Sequence, residues 1–596
     1  WDSIWIFSEV IGDKGKRVLI NSDLMPGAKF FPEAKLNYAE NLLKKSDEHI
    51  SIVSIREDGE KKSISKKELK NKVMLMAAWL KKQGIKKGDR VAAYMPNCLE
   101  TVISMLATSA LGAVFSSCST DFGVAGVLDR FNQIEPKIMI TVNGYVYNGK
   151  EIHRNKEIQQ IISGLPSLES IVILDYIDFQ IDKQKIETYQ FKELFDLKPL
   201  QKFNRVNFND PLYIVFSSGT TGAPKCIVHG VGGVLLQHFK EHKLHLNILQ
   251  DDTLFYFSTC GWMMWNWLVG ALFCNTKIIL YEGSPFYQGA SKLWNIAEEE
   301  KITIFGTSAK YIDSVKKSGY LPAEKCNLEF LKCLCSTGSP LSPESFEFIN
   351  KYIKSDMQIA SISGGTDILS CFVLNNPFDK VIKGEIQCRG LGMKIDVFDE
   401  KGNSIKEVPG ELVCTKPFPS MPIMFWNDLD GSKYKKAYFD LYENIWRHGD
   451  WVKLTKRGSM VIYGRSDATL NPGGVRIGTA EIYKIVEAFD EILESIVVGQ
   501  SWDNDVRIVL FIKLKEGLHI NENLILRIKD SLKVNVSPRH VPSKILSVPD
   551  IPRTRSGKIS ELAVKDLIHG KKIKNKEALS NPETLSFFKN IKELNE

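Results

Sequence analysis

The chain has 596 residues, of which 43% are hydrophobic and 25% are charged. This composition is typical of a globular protein with room for a large core and more than one domain, and it excludes a low-complexity chain. The formal net charge is +7, and the basic residues are spread along the chain. We therefore interpret the basic stretch KDLIHGKKIKNK as solvated surface and keep nucleic-acid binding as the weaker alternative.

Eleven cysteines are scattered along the chain without a Cys-x-x-Cys pair. Such a pattern favours a reducing compartment and no disulfide framework. The residues after Trp1 show no charged-then-apolar signal segment. We therefore expect a cytosolic protein.

From about residue 89 onward, short apolar segments alternate with helical patterns. The segments RVAAYM, AVFSS, KIMITV, SIVILD, LYIVFSS, KIILY and ITIF are typical of buried strands. Helical periods lie between several of them, such as LETVISMLATSAL, GGVLLQHFKEHKLHL and PESFEFINKYIKS. This alternation predicts an α/β fold with a large N-terminal domain, in which parallel-rich sheets are packed with helices.

The stretch from Leu254 to Thr276 contains no Asp, Glu, Lys or Arg and is long enough for a transmembrane helix. Polar and small residues interrupt its apolar run, namely Ser258, Thr259, Gly261, Asn266, Gly270 and Asn275. We therefore predict a buried strand, turn and helix, with a membrane span as the weaker alternative.

The chain changes character after Arg465. The remaining residues contain their own strands, ESIVVGQ and RIVLFIKL, and their own helices, AEIYKIVEAF and NLILRIKDSL. This predicts a small mobile α+β C-terminal domain. We place the domains at residues 1–466 and 467–596.

Residues 217–225, SSGTTGAPK, follow the predicted strand LYIVFSS and form a loop suited to phosphate. Its glycines let backbone N–H groups approach an anion, its hydroxyls add donors, and Lys225 adds a positive charge. The Walker pattern does not fit, because Gly222 is three residues from Lys225 and no Ser or Thr follows the lysine. An ordinary Gly- and Thr-rich turn is the remaining alternative.

Further motifs follow this loop in a fixed order. They are SGGTD at 363–367, HGD at 448–450, GRSD at 464–467 with GVR at 474–476, and PRTRSGK at 552–558. In this combination the chain resembles the acyl-activating (adenylate-forming) superfamily, from near its start to about residue 565. The resemblance implies that the carboxylate of an acid attacks the α-phosphate of ATP in the presence of Mg²⁺ and gives an acyl-adenylate.

The resemblance also implies catalytic roles for three residues. Lys558 would bridge the substrate carboxylate and the α-phosphate, while Arg476 and Thr366 would contact the same phosphate. Both reactants are anions, so positive charge and donors are needed where negative charge accumulates.

Nucleotide-binding residues are implied in the same way. Asp450 would accept hydrogen bonds from the ribose hydroxyls, with Arg465 beside it. Asp367 replaces the Glu of most family members and would help to hold Mg²⁺, through water because its side chain is one methylene shorter. The implied nucleotide-binding set is Ser217, Ser218, Gly219, Thr220, Thr221, Gly222, Lys225, Gly338, Ser339, Pro340, Gly365, Thr366, Asp367, Asp450, Arg465 and Arg476.

In the second step of this family, the thiol of coenzyme A replaces AMP. Family members swing the small domain about the aspartate of the G-R-x-D motif, which is Asp467 here. The resemblance implies that Gly474 then edges the pantetheine tunnel and that Lys533 and Lys150 contact the nucleotide end of coenzyme A. A solvated lysine is the alternative for both positions.

The size of the acid is predicted from residues 363–365. Family members that activate acetate carry Trp-Trp-Gln there, whereas this chain has Ser-Gly-Gly. Without an indole at Gly364 we expect a short acid longer than acetate, because each methylene contact is worth about 1–3 kcal/mol. Trp262, Met263 and Met264 would form the opposite wall of a bounded pocket, with core packing as the alternative.

Longer stretches of the chain narrow this expectation. GWMMWNW, SISGGTDI and FWNDLDGSKYKKAYF are similar to family members that activate acetoacetate. This implies conversion of acetoacetate, ATP and CoA to acetoacetyl-CoA, AMP and pyrophosphate, with propionate, butyrate or 3-hydroxybutyrate as the alternative acid. Asn266 or Trp262 is a candidate donor to the 3-keto group.

Other classes of protein fit the sequence less well. A kinase-like or ATPase loop protein would release ADP, and a binding protein without chemistry would not need Lys558, Asp450 and Arg476 together. Residues 238–242 match the zinc-protease pattern H-x-x-E-H. This stretch follows the phosphate loop on a helix with an apolar face, so we expect no zinc site there.

Overall fold

The computed structural model describes residues 1–182, 184–216, 224–470, 472, 477–502, 505–536, 538–555, 557–573 and 576–595. Two large sheets organise the first three quarters of the chain. The eight-stranded sheet runs, in spatial order, through Glu187–Gln190, Ser170–Leu174, Ile138–Val142, Arg90–Tyr94, Val114–Cys118, Pro211–Phe216, Cys226–Gly230 and Met424–Phe425. Its first six strands are parallel and its last two pair antiparallel.

The seven-stranded sheet is likewise parallel except for its last strand. Its order is Gln358–Ser361, Cys333–Thr337, Ile304–Ser308, Thr253–Tyr256, Lys277–Glu282, Ile50–Arg56 and Lys61–Ser65. Central strands such as Ile138–Val142 and Ser170–Leu174 are buried at every residue. That is the pattern of parallel strands covered on both faces by helices, which explains the unbroken apolar runs in the sequence.

Smaller antiparallel sheets accompany the two large sheets and contain several of the sequence motifs. A three-stranded sheet contains Ser363–Gly365, Ser370–Leu374 and Cys388–Arg389, and a four-stranded sheet contains Ile395–Phe398, Pro409–Cys414, Trp446–Leu454 and Met460–Arg465. Another three-stranded sheet consists of the short strands Gly12–Asp13, Lys35–Leu36 and Val206–Asn207. Two two-stranded sheets pair Leu19–Ile20 with Lys29–Phe30, and Gly144–Tyr147 with Lys150–His153.

Helices cover both large sheets. The α-helices of the described chain are Asp2–Phe7, Tyr38–Leu42, Lys66–Lys82, Leu99–Ala110, Val124–Ile134, Asn155–Gly164, Val231–Lys240, Met263–Gly270, Lys292–Glu299, Ala309–Lys317, Pro322–Lys325, Pro343–Tyr352, Ser432–Tyr438, Thr479–Val486, Glu522–Asn535 and Glu561–Ile568. None of them combines the length and apolar character that crossing a bilayer requires. The apolar stretch at 254–276 forms the predicted strand Thr253–Tyr256, a turn and the buried helix Met263–Gly270.

The last part of the chain forms its own sheet, with Ile492–Trp502, Asp505–Leu514 and Lys544–Ser547 in spatial order. Helices Thr479–Val486 and Glu522–Asn535 supply apolar residues to one core cluster on this sheet, among them Ile482, Ile528 and Leu532. The predicted fold class is confirmed: a large N-terminal part with parallel-rich sheets and helices, followed by a small α+β part.

Candidate active site

Two of the sequence motifs meet on neighbouring antiparallel strands. Asp450 lies in strand Trp446–Leu454, and Arg465 is the last residue of the adjacent strand Met460–Arg465. The register places the two residues opposite each other, and Arg465 Nη1 lies 3.0 Å from Asp450 Oδ1. Arg465 also pairs with Asp467, at 3.5 Å between Nε and Oδ1. The described structure therefore joins the H-G-D and G-R-S-D motifs in one charged cluster.

Asp367 connects this cluster to the phosphate loop. Lys225 Nζ lies 3.4 Å from Asp367 Oδ1, and the Tyr438 hydroxyl donates a hydrogen bond to the same oxygen. Burial by itself raises the pKa of a carboxyl, but Lys225 and Tyr438 outweigh it and hold the pKa of Asp367 well below its usual range. Asp367 is therefore a carboxylate at physiological pH.

Lys558 belongs to the same electrostatic cluster, although it is distant in sequence. Lys558 is exposed to solvent. Its pKa is nevertheless lowered, because the surrounding protein removes part of its water shell and the Arg465 guanidinium repels its ammonium group. The Asp450 and Asp367 carboxylates act in the opposite direction. The charged residues of three other motifs thus influence the protonation of Lys558 in the P-R-T-R-S-G-K motif.

The predicted adenine-lining residues Gly338, Ser339 and Pro340 follow a strand that contacts the Ile362 backbone. Gly338 follows strand Cys333–Thr337 with φ of +91°, a conformation that favours glycine, and Thr337 donates to the Ile362 carbonyl oxygen over 2.9 Å. Ser339 and Pro340 are exposed next to this turn.

Two residues that contact the predicted site, His229 and Tyr438, belong to none of the motifs identified in the sequence. His229 Nε2 lies 3.0 Å from the Thr366 carbonyl oxygen, and burial lowers the pKa of His229 to about 4. Tyr438 lies in FWNDLDGSKYKKAYF, a stretch used above only as a resemblance. The proximity of His229 to the phosphate loop in sequence was the one available hint for that residue.

Part of the predicted site lies outside the described residues. This applies to Ser217, Ser218, Gly219, Thr220, Thr221 and Gly222 of the phosphate loop, and to Gly474 and Arg476. The loop's flanks are described, with strand Pro211–Phe216 before it and Lys225 after it.

The backbone gives its own reason for a glycine at position 364. A β-carbon at this position would lie 2.0 Å from the Ser370 carbonyl oxygen and 2.6 Å from the Cys371 α-carbon. A side chain at 364 would therefore collide with the paired strand Ser370–Leu374. Close backbone approach therefore requires glycine at this position of the described backbone, and the pocket argument for Gly364 stays a prediction.

The opposite wall of the predicted pocket is largely core. Met263 and Met264 begin helix Met263–Gly270 and are 5% and 2% exposed, whereas Trp262 is only partly buried and packs edge-on to Tyr256. Asn266 is buried within helix Met263–Gly270 and only 3% exposed. Asn266 is therefore the weaker of the two keto-group candidates.

The predicted coenzyme A residues lie on the surface. Lys150 is exposed in the hairpin that pairs Gly144–Tyr147 with Lys150–His153, and Lys533 is exposed near the end of helix Glu522–Asn535.

Side chains of the H-x-x-E-H pattern contact the segment that follows Asp367. Glu241 accepts hydrogen bonds from Trp267 Nε1 at 2.8 Å and from the Cys371 backbone N–H at 3.1 Å, and it pairs with buried Lys240. His238 Nε2 lies 2.8 Å from the Leu369 carbonyl oxygen. These contacts hold the segment that follows Asp367. Within the described residues, no group of three or more His, Cys, Asp or Glu side chains is placed to hold a metal ion.

Comparison with known proteins agrees with this geometry. The family described as AMP-binding enzyme matches residues 40–422. The acetoacetyl-coenzyme A synthetase of Rhizobium meliloti (strain 1021) is 51% identical, with 100% of this chain and 92% of that protein covered. The acetoacetyl-CoA synthetase of Xenopus tropicalis is 45% identical, with coverage of 100% and 91%.

Solved structures give the same result. Acetoacetyl-CoA synthetase from Streptomyces lividans superposes with a TM-score of 0.95 at 40% identity and covers 100% of this chain and 92% of its own. The anthranilate CoA ligase AuaEII, solved with anthranoyl-AMP, is 19% identical with a TM-score of 0.77, covers 88% of this chain and 96% of its own, and supports the fold alone. The family resemblance inferred from the motifs is confirmed, and the chain belongs to the AMP-binding enzyme family, within which its relatives are acetoacetyl-CoA synthetases.

Proposed function

We propose that the protein is an ATP-dependent acid–thiol ligase that makes acetoacetyl-CoA from acetoacetate and CoA through an acyl-adenylate, releasing AMP and pyrophosphate. The observation that carries this proposal is that five charged residues from separate motifs interact through ion pairs or through the electrostatic field that they share. They are Lys225, Asp367, Asp450, Arg465 and Lys558. A carboxylate and ATP repel each other, so this cluster supplies charge where the two anions join.

Each residue has a distinct part in this chemistry. Lys558 stabilises the charge that builds up between substrate carboxylate and α-phosphate, and Thr366 donates to the same phosphate. Asp450, oriented by Arg465 at 3.0 Å, accepts hydrogen bonds from the ribose hydroxyls. Lys225 contacts the outer phosphates. Arg476 adds a second cation on the α-phosphate.

The donor set fits Mg²⁺. One carboxylate combined with substrate phosphates is a common way for proteins to hold this ion, and Asp367 is charged and oriented by Lys225 and Tyr438. Bound Mg²⁺ would neutralise charge on the departing pyrophosphate.

The second step uses coenzyme A and a change of domain arrangement. Residues 1–466 would form one unit and residues 467–596 the other, with the hinge at Asp467. Gly474 would then edge the thiol tunnel, and Lys150 and Lys533 would contact the nucleotide end of coenzyme A. The eleven cysteines are free thiols, which supports a reducing compartment such as the cytosol.

The test is release of pyrophosphate and AMP with each of five acids: acetate, propionate, butyrate, acetoacetate and 3-hydroxybutyrate. We expect acetoacetate to give the highest kcat/KM. Release of ADP in place of AMP would overturn the reaction class, whereas a higher kcat/KM for butyrate or propionate would overturn only the acid.

A further inference from the structure

The motif P-R-T-R-S-G-K contains two arginines, Arg553 and Arg555, that the proposed chemistry does not use. Lys558 is fixed to the same turn: the Lys558 backbone N–H donates to Thr554 Oγ1 over 3.1 Å, and the Thr554 backbone N–H donates to the Lys558 carbonyl oxygen over 2.8 Å. Whatever anchors this turn therefore also sets the position of Lys558.

Arg555 anchors the turn to the large N-terminal part of the chain. Its Nη1 lies 2.8 Å from Asp121 Oδ2 and 2.6 Å from the Asp121 carbonyl oxygen, and its guanidinium lies 4.3 Å from the centre of the Phe122 ring. The Arg555 side chain is only 16% exposed. A largely buried arginine with an ion pair, a backbone acceptor and an aromatic face is held in a single orientation.

The C-terminal tail completes this anchor. Arg555 Nε donates to the Glu577 carbonyl oxygen over 3.0 Å, and the Arg555 backbone N–H donates to the Ala578 carbonyl oxygen over 3.1 Å. Glu577 in turn lies against helix Val124–Ile134: its β-carbon would be 3.3 Å from a β-carbon added at Gly126. The glycine leaves the space that the tail occupies.

Arg553 braces the other side of the turn. Its Nη2 lies 3.1 Å from Glu494 Oε1, and Lys310 of helix Ala309–Lys317 pairs with the same carboxylate oxygen. Arg553 Nη1 also donates to the Gly557 carbonyl oxygen over 2.8 Å. The turn is thus connected to the large part of the chain by one direct ion pair and one that passes through Glu494.

We propose that Arg555 is a positioning residue for adenylation, which fixes the position of Lys558 through its ion pair with Asp121 and its hydrogen bonds to the carbonyl oxygens of Glu577 and Ala578. This inference rests on the proposed function, because it assigns Arg555 to the first half-reaction. Three residues span about 10 Å at most, so fixing Arg555 confines Lys558 to the neighbourhood of Asp121. The second half-reaction does not need Lys558 at this place and is independent of the pair.

The test separates the two half-reactions in Arg555→Gln, Arg555→Lys and Asp121→Asn. We expect Arg555→Gln to lower pyrophosphate release without CoA by at least tenfold, while the reaction of supplied acetoacetyl-adenylate with CoA stays within twofold. Pyrophosphate release by Arg555→Lys should lie between that of wild type and that of Arg555→Gln. Lysine keeps the positive charge but lacks the planar guanidinium that donates several hydrogen bonds at once. Asp121→Asn should resemble Arg555→Gln in the first half-reaction.

Charge reversal gives a readout that a purely structural role would not produce. Arg555→Asp alone should lose more adenylation activity than Arg555→Gln, and Arg555→Asp with Asp121→Arg should recover at least tenfold of that loss. The matched control is Arg205→Gln, which breaks the two-bond pair of Arg205 with Glu40 (2.8 and 3.0 Å) elsewhere on the surface. It should leave both half-reactions unchanged.

Three results would overturn the proposal: unchanged adenylation in Arg555→Gln, an equal fall in both half-reactions, or no recovery on charge reversal. Melting temperatures identify a variant that fails to fold, in which case Arg555→Lys decides the outcome. Failure of the wild-type protein to release pyrophosphate from ATP and acetoacetate would instead overturn the proposed function.

Discussion

Lys225 Nζ lies 3.4 Å from Asp367 Oδ1, so that the end of the phosphate loop and the S-G-G-T-D segment share one ion pair across 142 positions of sequence. The pair places a cation and a carboxylate at the point where phosphates and Mg²⁺ would meet. Tyr438, which donates to the same carboxylate, also stacks on Trp446 with ring centres 3.8 Å apart.

Tyr438→Phe should weaken the response to Mg²⁺. The ring stays on Trp446, but Asp367 loses the donor that orients it, and such outer partners typically change metal affinity or activity by about 10–100-fold. We expect the Mg²⁺ concentration for half-maximal pyrophosphate release to rise about tenfold. Tyr434→Phe is the matched control, because the buried Tyr434 hydroxyl has no hydrogen-bond partner among the described residues. Equal Mg²⁺ responses in the two variants would contradict the role of Tyr438.

Lys558→Ala should separate the two half-reactions. Removing a cation from the place where two anions join should slow adenylation by about 10²–10⁴-fold. Supplied acyl-adenylate should still react with CoA, as followed by thioester formation. Lys571→Ala, at a surface lysine of the same part of the chain, should change neither step. A parallel fall in both steps would show that Lys558 has another role.

Gly364→Ala should destabilise the protein by about 1–3 kcal/mol or more, because its β-carbon would overlap the Ser370 carbonyl group of the paired strand. Gly365→Ala is the matched control for stability, since its β-carbon would meet nothing nearer than 3.7 Å. The free energy of unfolding in denaturant measures both. If the two variants are equally stable, the backbone explanation for Gly364 is incorrect.

Glu241→Gln should destabilise the protein by about 3–5 kcal/mol, because it leaves the buried Lys240 ammonium without its counter-charge at 3.5 Å. Adding Lys240→Met should recover part of this loss, since an apolar side chain does not need a buried partner. Denaturant unfolding of the single and double variants measures the coupling. An additive loss would mean that the two charges do not interact.

Glu282→Gln should remove a dependence of stability on pH. Burial, reinforced by the Asp121 and Glu57 carboxylates and opposed by the Asn97 backbone N–H, raises the pKa of Glu282 from 4.5 to about 7. The folded protein therefore holds this proton where the unfolded chain has released it. The stabilising contribution is complete below pH 4.5 and is lost as the pH rises to 7, a change of about 3 kcal/mol.

The measurement is the free energy of unfolding of wild type and Glu282→Gln from pH 4.5 to 8. The stability of the variant relative to wild type should increase through this window and then level off above pH 7. A constant difference between the two proteins would contradict the buried position of Glu282. Comparing the two cancels the contributions of other titrating groups, such as buried His229.

Predictions based on local pattern succeeded because they depend on neighbouring residues. The segment RVAAYM contains strand Arg90–Tyr94, and LETVISMLATSAL contains helix Leu99–Ala110. Runs of buried β-branched residues and helical periods keep their meaning wherever the segment packs. The identity of the charged residues Lys225, Asp367 and Lys558 was available for the same reason, since each belongs to a short motif.

The sequence by itself determined the α/β fold class, the family and the identity of the charged residues in the predicted site. Only the tertiary structure decided that Tyr438 orients Asp367, that Asp121 receives Arg555, and that a side chain at Gly364 would strike a neighbouring strand. It also decided that Glu241 supports a strand. These relationships join segments that are far apart in the chain. The direction of a β-carbon and the partner of a buried charge depend on which elements pack together, and the spacing of residues in the sequence does not specify that packing.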